Sequence, residues 1–165
     1  MSPRASRILV VGVGNRDCGD DGIGPLVADR LAGRVPAGVQ VRALGGDMLA
    51  LIEMWSGRDT VIVIDAARAM MQAGRIHRLE PILEPLPREL ALGSTHALGV
   101  ADAVELARAL DRLPRRLVVY AVEGAVFEVG ARPSAEAAAA VEAAAGLIAA
   151  EVDALVMGQK EQAHA

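Results

Sequence analysis

Three short, almost unbroken apolar runs constrain the fold of this chain more than any other feature. They span Ile8–Val13, Thr60–Ile64 and Leu117–Val122. Apolar side chains on successive residues indicate strands that are buried on both faces, and segments with helical spacing lie between these runs. The alternation predicts an α/β fold: a three-layer α/β/α sandwich around a twisted, mostly parallel sheet of about five strands.

The remaining elements complete one domain. Val39–Leu44 alternates apolar and polar residues as a half-buried strand does, and Gly74–Leu79 is predicted to be an edge strand. Helices are expected over residues 22–31, after an N-cap at Asp47, from His96 to about Leu110 behind a cap at Ser94 or Thr95, and after an N-cap at Ser134. We expect a single domain over residues 1–165, with an ordered core at about 7–157 and a frayed tail at 158–165.

Composition excludes several classes of function. Acidic residues outnumber basic ones by 21 to 17 and aromatic residues are nearly absent, so neither a phosphate backbone nor unpaired bases would find a suitable surface. The lone Cys18 rules out an internal disulfide and a cysteine-based zinc cage. No apolar stretch is long enough for a membrane span. We expect a soluble cytoplasmic protein that binds neither nucleic acid nor membrane and that can be monomeric.

The loop GVGNRDCGDDGIG at residues 12–24 is the first candidate for chemistry. A dinucleotide-binding fingerprint would need glycine where Asp17 stands, and the acidic side chains of the loop would repel a pyrophosphate. A phosphate-binding P-loop would need a Gly-Lys pair that does not follow. Asp20 can cap the helix that begins at Gly22. Because one carboxylate suffices for capping, we expect Asp21 to face elsewhere.

Two further residues extend this candidate site. Asp65 directly follows a buried strand, and a carboxylate there is costly unless it is paired, hydrogen-bonded or bound to a cation. His96 stands at the start of a predicted helix. Together with Asp21 these residues form a set of two oxygen ligands and one nitrogen ligand, which suits nickel or zinc better than calcium or magnesium. His77, on the predicted edge strand without an acidic partner, and His164, in the tail, are poor candidates.

Nucleophilic catalysis is a weaker interpretation of the same residues. Cys18 could pair with His96, but the neighbouring acidic residues do not favour a thiolate. Ser94, His96 and Asp65 could imitate a catalytic triad. However, a serine two residues from its histidine rarely aligns with it, and this serine is not in a nucleophile elbow.

The motifs GVGNRDCGDDGIG, VIVIDA, STHALGVAD and VVYAVEGA resemble those of the hydrogenase maturation endopeptidases, over about residues 8–150. The resemblance implies an α/β/α sandwich that removes a short carboxyl-terminal peptide from the precursor of a nickel–iron hydrogenase large subunit. It also implies that Asp21, Asp65 and His96 are the metal ligands and the catalytic residues. The nickel would be supplied by the precursor, and another divalent cation could replace it in vitro.

The chain departs from the family pattern at two places. The first ligand is often glutamate in the family, whereas this chain has Asp21. A common Asp-Gly-Gly-Thr segment is replaced by Leu44-Gly45-Gly46-Asp47, where Asp47 can simply cap the next helix. The residues leave two hydrolytic routes open: either the metal activates the carbonyl or a water, or an aspartate such as Asp21 acts as general base. A non-catalytic nickel- or precursor-binding chaperone and a nucleotide-binding domain are the rival functions.

Overall fold

A five-stranded mixed sheet forms the centre of the molecule. The computed structural model describes residues 7–68, 71–87 and 98–165. The strands are β1 (Ile8–Val13), β2 (Gln40–Leu44), β3 (Thr60–Arg68), β4 (Ile76–Leu79) and β5 (Arg116–Gly124). Their order is β2-β1-β3-β5-β4, and every pair is parallel except β4 with β5. The predicted α/β sandwich with a mostly parallel sheet is confirmed.

The described residues form four α-helices, which cover both faces of the sheet. They are α1 (Ile23–Leu31), α2 (Met48–Trp55), α3 (Val100–Ala109) and α4 (Ala135–Ala163). Because side chains alternate along each strand, Val10, Ile62 and Val118 pack under α1 and α4, whereas their neighbours pack under α2 and α3. The core is almost entirely aliphatic on both sides, as the scarcity of aromatic residues predicts.

The parallel strands place three loops at one edge of the sheet. Gly12 is level with Ile64 in β3, and Asp65 is level with Ala121 in β5. The carboxyl ends of β1, β3 and β5 therefore point the same way, and the segments that follow them meet above the sheet. In parallel sheets this edge is where ligands bind.

Two of the predicted helix caps are confirmed and one predicted helix start is wrong. The Asp47 side chain accepts a hydrogen bond from the Ala50 amide at 3.0 Å, and Ser134 Oγ accepts one from the Ala137 amide at 3.2 Å. The third helix begins at Val100 rather than His96, because Gly99 is extended and its amide donates to the Asp102 side chain at 2.8 Å. Ser94, Thr95 and His96 lie outside the described residues.

The last helix is much longer than the strands that it covers. It begins at the carboxyl edge of the sheet after β5 and runs to Ala163, through most of the segment for which the sequence predicts a frayed tail. The fraying itself stays a prediction. No helix in the described part of the chain combines the length and the apolar composition that a membrane crossing requires.

A partly buried hydrogen bond connects α4 to the sheet, and its removal is expected to destabilise the protein. Tyr120 Oη donates to Glu151 on α4, which also accepts from Arg78 on β4. We expect Tyr120→Phe to lower the free energy of unfolding by about 1–2 kcal/mol, because a partly buried charged acceptor loses a donor. Chemical denaturation measures the change. Glu142→Gln, which alters an exposed ion pair on the same helix, is the control and should leave the midpoint unchanged; equal midpoints for both variants would contradict the prediction.

Candidate active site at the carboxyl edge of the sheet

The segment after β1 folds back over the strand and buries Asp21. Gly14 turns the chain with a φ of 145°, and a Cβ atom at this residue would lie 1.9 Å from the Asp21 carbonyl oxygen. The backbone N–H of Asn15 donates a hydrogen bond to Asp21 Oδ2 at 2.9 Å. A short 3-10 turn at Gly19–Gly22 follows, and its Asp21 is only 4% exposed. The turn therefore holds one carboxylate at the end of β1, away from bulk water.

Asp65 contributes a second buried carboxylate, from within β3 rather than from its end. The strand continues to Arg68, so the prediction that Asp65 follows the strand is wrong in detail. Since Gly12 is level with Ile64 and β1 ends at Val13, the Asp65 side chain nevertheless stands where the neighbouring strand stops. Asp65 is 7% exposed, and its Oδ1 accepts a hydrogen bond from the Ala66 amide at 2.9 Å.

The structure brings Asp21 and Asp65 close enough to interact electrostatically. Burial first, and then the negative charge of Asp21, raise the pKa of Asp65 to about 8, against the lowering effect of the Ala66 amide. Two buried carboxylates cannot both be ionised at low cost unless a cation lies between them. Asp65 can therefore hold a proton, or the two side chains can contribute two oxygen ligands to a divalent cation.

The third predicted ligand, His96, lies outside the described residues. Within residues 7–68, 71–87 and 98–165 no three histidine, cysteine, aspartate or glutamate side chains come together as a metal site. His96 precedes α3 in the chain by a few residues. The carboxyl end of α3 leads into the amino end of β5, so the first turn of α3 lies at the carboxyl edge of the sheet. The helix covers the same face of the sheet as the one toward which Asp65 points. The roles of all three residues stay predictions.

Asp20 does not cap a helix, contrary to the prediction. It is fully buried, and its carboxylate accepts hydrogen bonds from the amides of Ala125, Val126 and Ser134 at 2.7, 3.1 and 2.6 Å and from Ser134 Oγ at 2.8 Å. Burial alone would raise the pKa of Asp20, but these hydrogen bonds lower it below its usual value. The helix after the turn begins instead behind Gly22, without a side-chain cap.

Glu123 is a buried acid at the same edge that the sequence interpretation missed. It is 1% exposed and accepts hydrogen bonds from the amides of Met71 and Gln72 at 3.2 and 3.4 Å. His77 Nε2 lies 3.7 Å from Glu123 Oε2, an acidic neighbour that the sequence pattern around His77 does not show. The signal for a buried acid was available, because Glu123 stands near the end of an apolar strand much as Asp65 does. The pairing of its strand with the antiparallel β4 could not be read from the chain order.

Known proteins are similar to this chain in sequence. The model of the HycI family, described as hydrogenase maturation protease, matches residues 26–151. The hydrogenase 2 maturation protease of Escherichia coli K12 is 30% identical over 138 residues, which cover 79% of this chain and 82% of that protein. HupD of Bradyrhizobium diazoefficiens, a hydrogenase expression/formation protein, is 29% identical over 120 residues, which cover 72% of this chain but only 62% of HupD.

A solved structure agrees with these matches. The crystal structure of the [NiFe] hydrogenase maturation protease HycI from Thermococcus kodakarensis KOD1 superimposes with a TM-score of 0.69 at 25% sequence identity. The superposition covers 90% of this chain and 93% of that one. The likeness therefore extends over nearly the whole fold.

Proposed function

Because the chain belongs to the hydrogenase maturation protease family, we propose that it cleaves the carboxyl-terminal peptide from the nickel-loaded precursor of a nickel–iron hydrogenase large subunit. The buried pair of Asp21 and Asp65 is the observation that carries this proposal. The pair stands at the sheet edge where parallel α/β folds bind their ligands. The substrate would be one precursor protein, which this small domain would meet at that edge.

The nickel belongs to the substrate in this proposal. Asp21 and Asp65 supply two carboxylate oxygens and His96 supplies an imidazole nitrogen, a donor set that suits a divalent ion of intermediate softness. Binding would displace the proton that Asp65 otherwise holds, and the metal ion would offset the cost of burying two carboxylates. A precursor without nickel would give these three side chains no metal ion to coordinate. The site would thus recognise precursors whose nickel is already installed.

Peptide hydrolysis needs a base for water and a proton for the leaving amine. Water adds its hydroxyl to the carbonyl carbon while its proton passes to the base. The protonated base then gives that proton to the amide nitrogen as the C–N bond breaks. If an aspartate rather than the metal activates the water, Asp21 is the candidate for the base, since its carboxylate is buried at the site and accepts a hydrogen bond from the backbone amide of Asn15. The nickel of the precursor would supply Lewis acidity at the same place.

The proposal predicts that cleavage depends on the metal of the precursor. We expect the purified protein to release the carboxyl-terminal peptide from nickel-loaded precursor and to leave nickel-free precursor intact, with rates that differ at least about 100-fold. Mass spectrometry of both precursors after incubation measures the result. Equal cleavage of the two forms would contradict metal recognition. Binding of the loaded precursor without any cleavage would instead identify a non-catalytic maturation chaperone.

A further inference from the structure

The turn that carries Asp21 must be held in place by contacts other than its neighbour Asp65. Two buried carboxylates at close range do not attract each other, and the pair is costly until a proton or a cation joins it. Asp21 and Asp65 are 4% and 7% exposed, so water gives them little relief. Contacts with other parts of the chain therefore hold this turn in place in the metal-free protein.

Asp20 accepts four hydrogen bonds in this turn. Its carboxylate accepts from the Ala125 amide, the Ser134 amide and Ser134 Oγ, each at 2.6–2.8 Å, and from the Val126 amide at 3.1 Å. These donors lie more than 100 positions away in the chain. Ser134 Oγ also caps α4. The buried carboxylate of Asp20 thus connects the turn of residues 19–22, the segment after β5 and the start of α4.

The backbones of the two segments also interlock around Asp20. The Asp20 amide donates to the Val126 carbonyl at 2.6 Å, and the Gly19 amide donates to the Ala131 carbonyl at 3.2 Å. The contact is tight, because a Cβ atom at Gly124 would lie only 2.6 Å from the Asp20 Cβ. A side chain at Gly124 would therefore push the two segments apart.

We propose that Asp20 is a positioning residue that locks the turn of residues 19–22 onto the segment of residues 124–134 and thereby holds Asp21 beside Asp65 before any metal arrives. This inference rests on the proposed function for the purpose of the site, but the lock itself is a property of the metal-free protein. Residues that orient a metal ligand from outside the coordination sphere commonly contribute 10- to 100-fold, as an order of magnitude, to metal affinity.

Asp20→Asn tests the lock with a side chain of the same size. An amide has a single acceptor oxygen, so its NH2 group must face the amides that now donate to one of the two carboxylate oxygens. Asp17→Asn is the matched control, since it removes the same charge from an exposed position of the same loop. Circular dichroism and thermal denaturation of both variants establish that they fold.

The first measurement is hydrogen exchange in the metal-free proteins. We expect the amides of Gly19, Asp20 and Val126 to exchange at least about tenfold faster in Asp20→Asn than in the wild type, while amides of β1 and β3 keep their rates. Asp17→Asn should match the wild type. Unchanged exchange in a folded Asp20→Asn protein would overturn the proposal.

The second measurement is direct titration with Ni²⁺. We expect Asp20→Asn to bind about 10- to 100-fold more weakly than the wild type, and Asp17→Asn to bind equally well. Faster exchange together with unchanged nickel affinity would overturn the positioning role. A wild type that binds no nickel would contradict the proposed ligand set instead, and hydrogen exchange would then decide alone whether Asp20 locks the turn.

Discussion

Replacing Asp65 by asparagine is expected to abolish precursor processing and, at the same time, to stabilise the metal-free protein. Processing should fall at least about 100-fold, because a metal ligand loses its charge and becomes a weaker donor. Stability should rise, because the variant would bury no second ionisable group beside Asp21. A residue that only supports the fold would show the opposite combination.

The gain in stability depends on pH in a direction that the raised pKa determines. The pKa of Asp65 is about 8 in the folded protein and 3.8 in the unfolded chain. Between these values the folded protein holds a proton that the unfolded chain releases, so the free energy of unfolding falls as pH rises from about 4 to 8. Asp65→Asn lacks this decline. We expect equal stabilities near pH 4 and an advantage of about 2 kcal/mol for the variant near pH 8, since local relaxation reduces the full electrostatic cost.

Asp59→Asn provides the control for both measurements. Asp59 precedes the same strand at its opposite end and forms a partly exposed ion pair with Arg7, 3.6 Å between Nη1 and Oδ1. The same chemical change there should leave processing unaltered and shift stability by less than about 1 kcal/mol. Urea denaturation of chelator-treated proteins across the pH range measures stability. Retained processing by Asp65→Asn, or a stability loss that grows with pH, would be incompatible with the proposed site.

Gly24→Ala is expected to have the largest effect on folding. Gly24 lies in the first turn of α1, where the helix packs backbone against backbone on the end of β1 and the middle of β3. A Cβ atom there would lie 2.3 Å from the Val13 carbonyl oxygen and 2.6 Å from that of Ile64. Because both obstacles are backbone atoms, no rotamer change relieves the overlap. We expect the free energy of unfolding to fall by about 3–5 kcal/mol, with loss of soluble protein.

Gly146→Ala is the matched control, at a glycine where a Cβ atom has space. Gly146 is exposed within α4, and no heavy atom lies within 4 Å of the Cβ that alanine would add. Alanine should stabilise the protein by about 0.5–1 kcal/mol through its higher helix propensity. Thermal denaturation of both variants measures the contrast. Similar melting temperatures for the two alanine variants would show that α1 does not approach the sheet as closely as described.

The sequence predicts the sheet well because its signals are local. The runs at Ile8–Val13 and Thr60–Ile64 are strands buried on both faces, and only such strands tolerate apolar residues at every position. The caps at Asp47 and Ser134 follow the same logic, since a cap bonds to an amide three residues away. Each of these features depends on residues that are neighbours in the chain.

The contacts that the sequence could not predict join distant parts of the chain. Asp20 was expected to cap a local helix, yet the four groups that donate to it lie beyond residue 124. Glu123 and His77 meet because β4 returns antiparallel to β5, and no periodicity in the chain reveals that pairing. The sequence predicts the approach of Asp21 to Asp65 only because parallel strands end at one edge of the sheet. The raised pKa of Asp65 also depends on the burial of both side chains, and that burial follows from the folded structure.

Anomalous diffraction from crystals soaked with Ni²⁺ tests the central claim most directly. If Asp21, Asp65 and His96 are the ligands, a single strong nickel peak should lie about 2.0–2.2 Å from one carboxylate oxygen of each aspartate and from one imidazole nitrogen of His96. A nickel ion bound elsewhere, or coordinated by the aspartates while His96 points away from them, would contradict the proposed site.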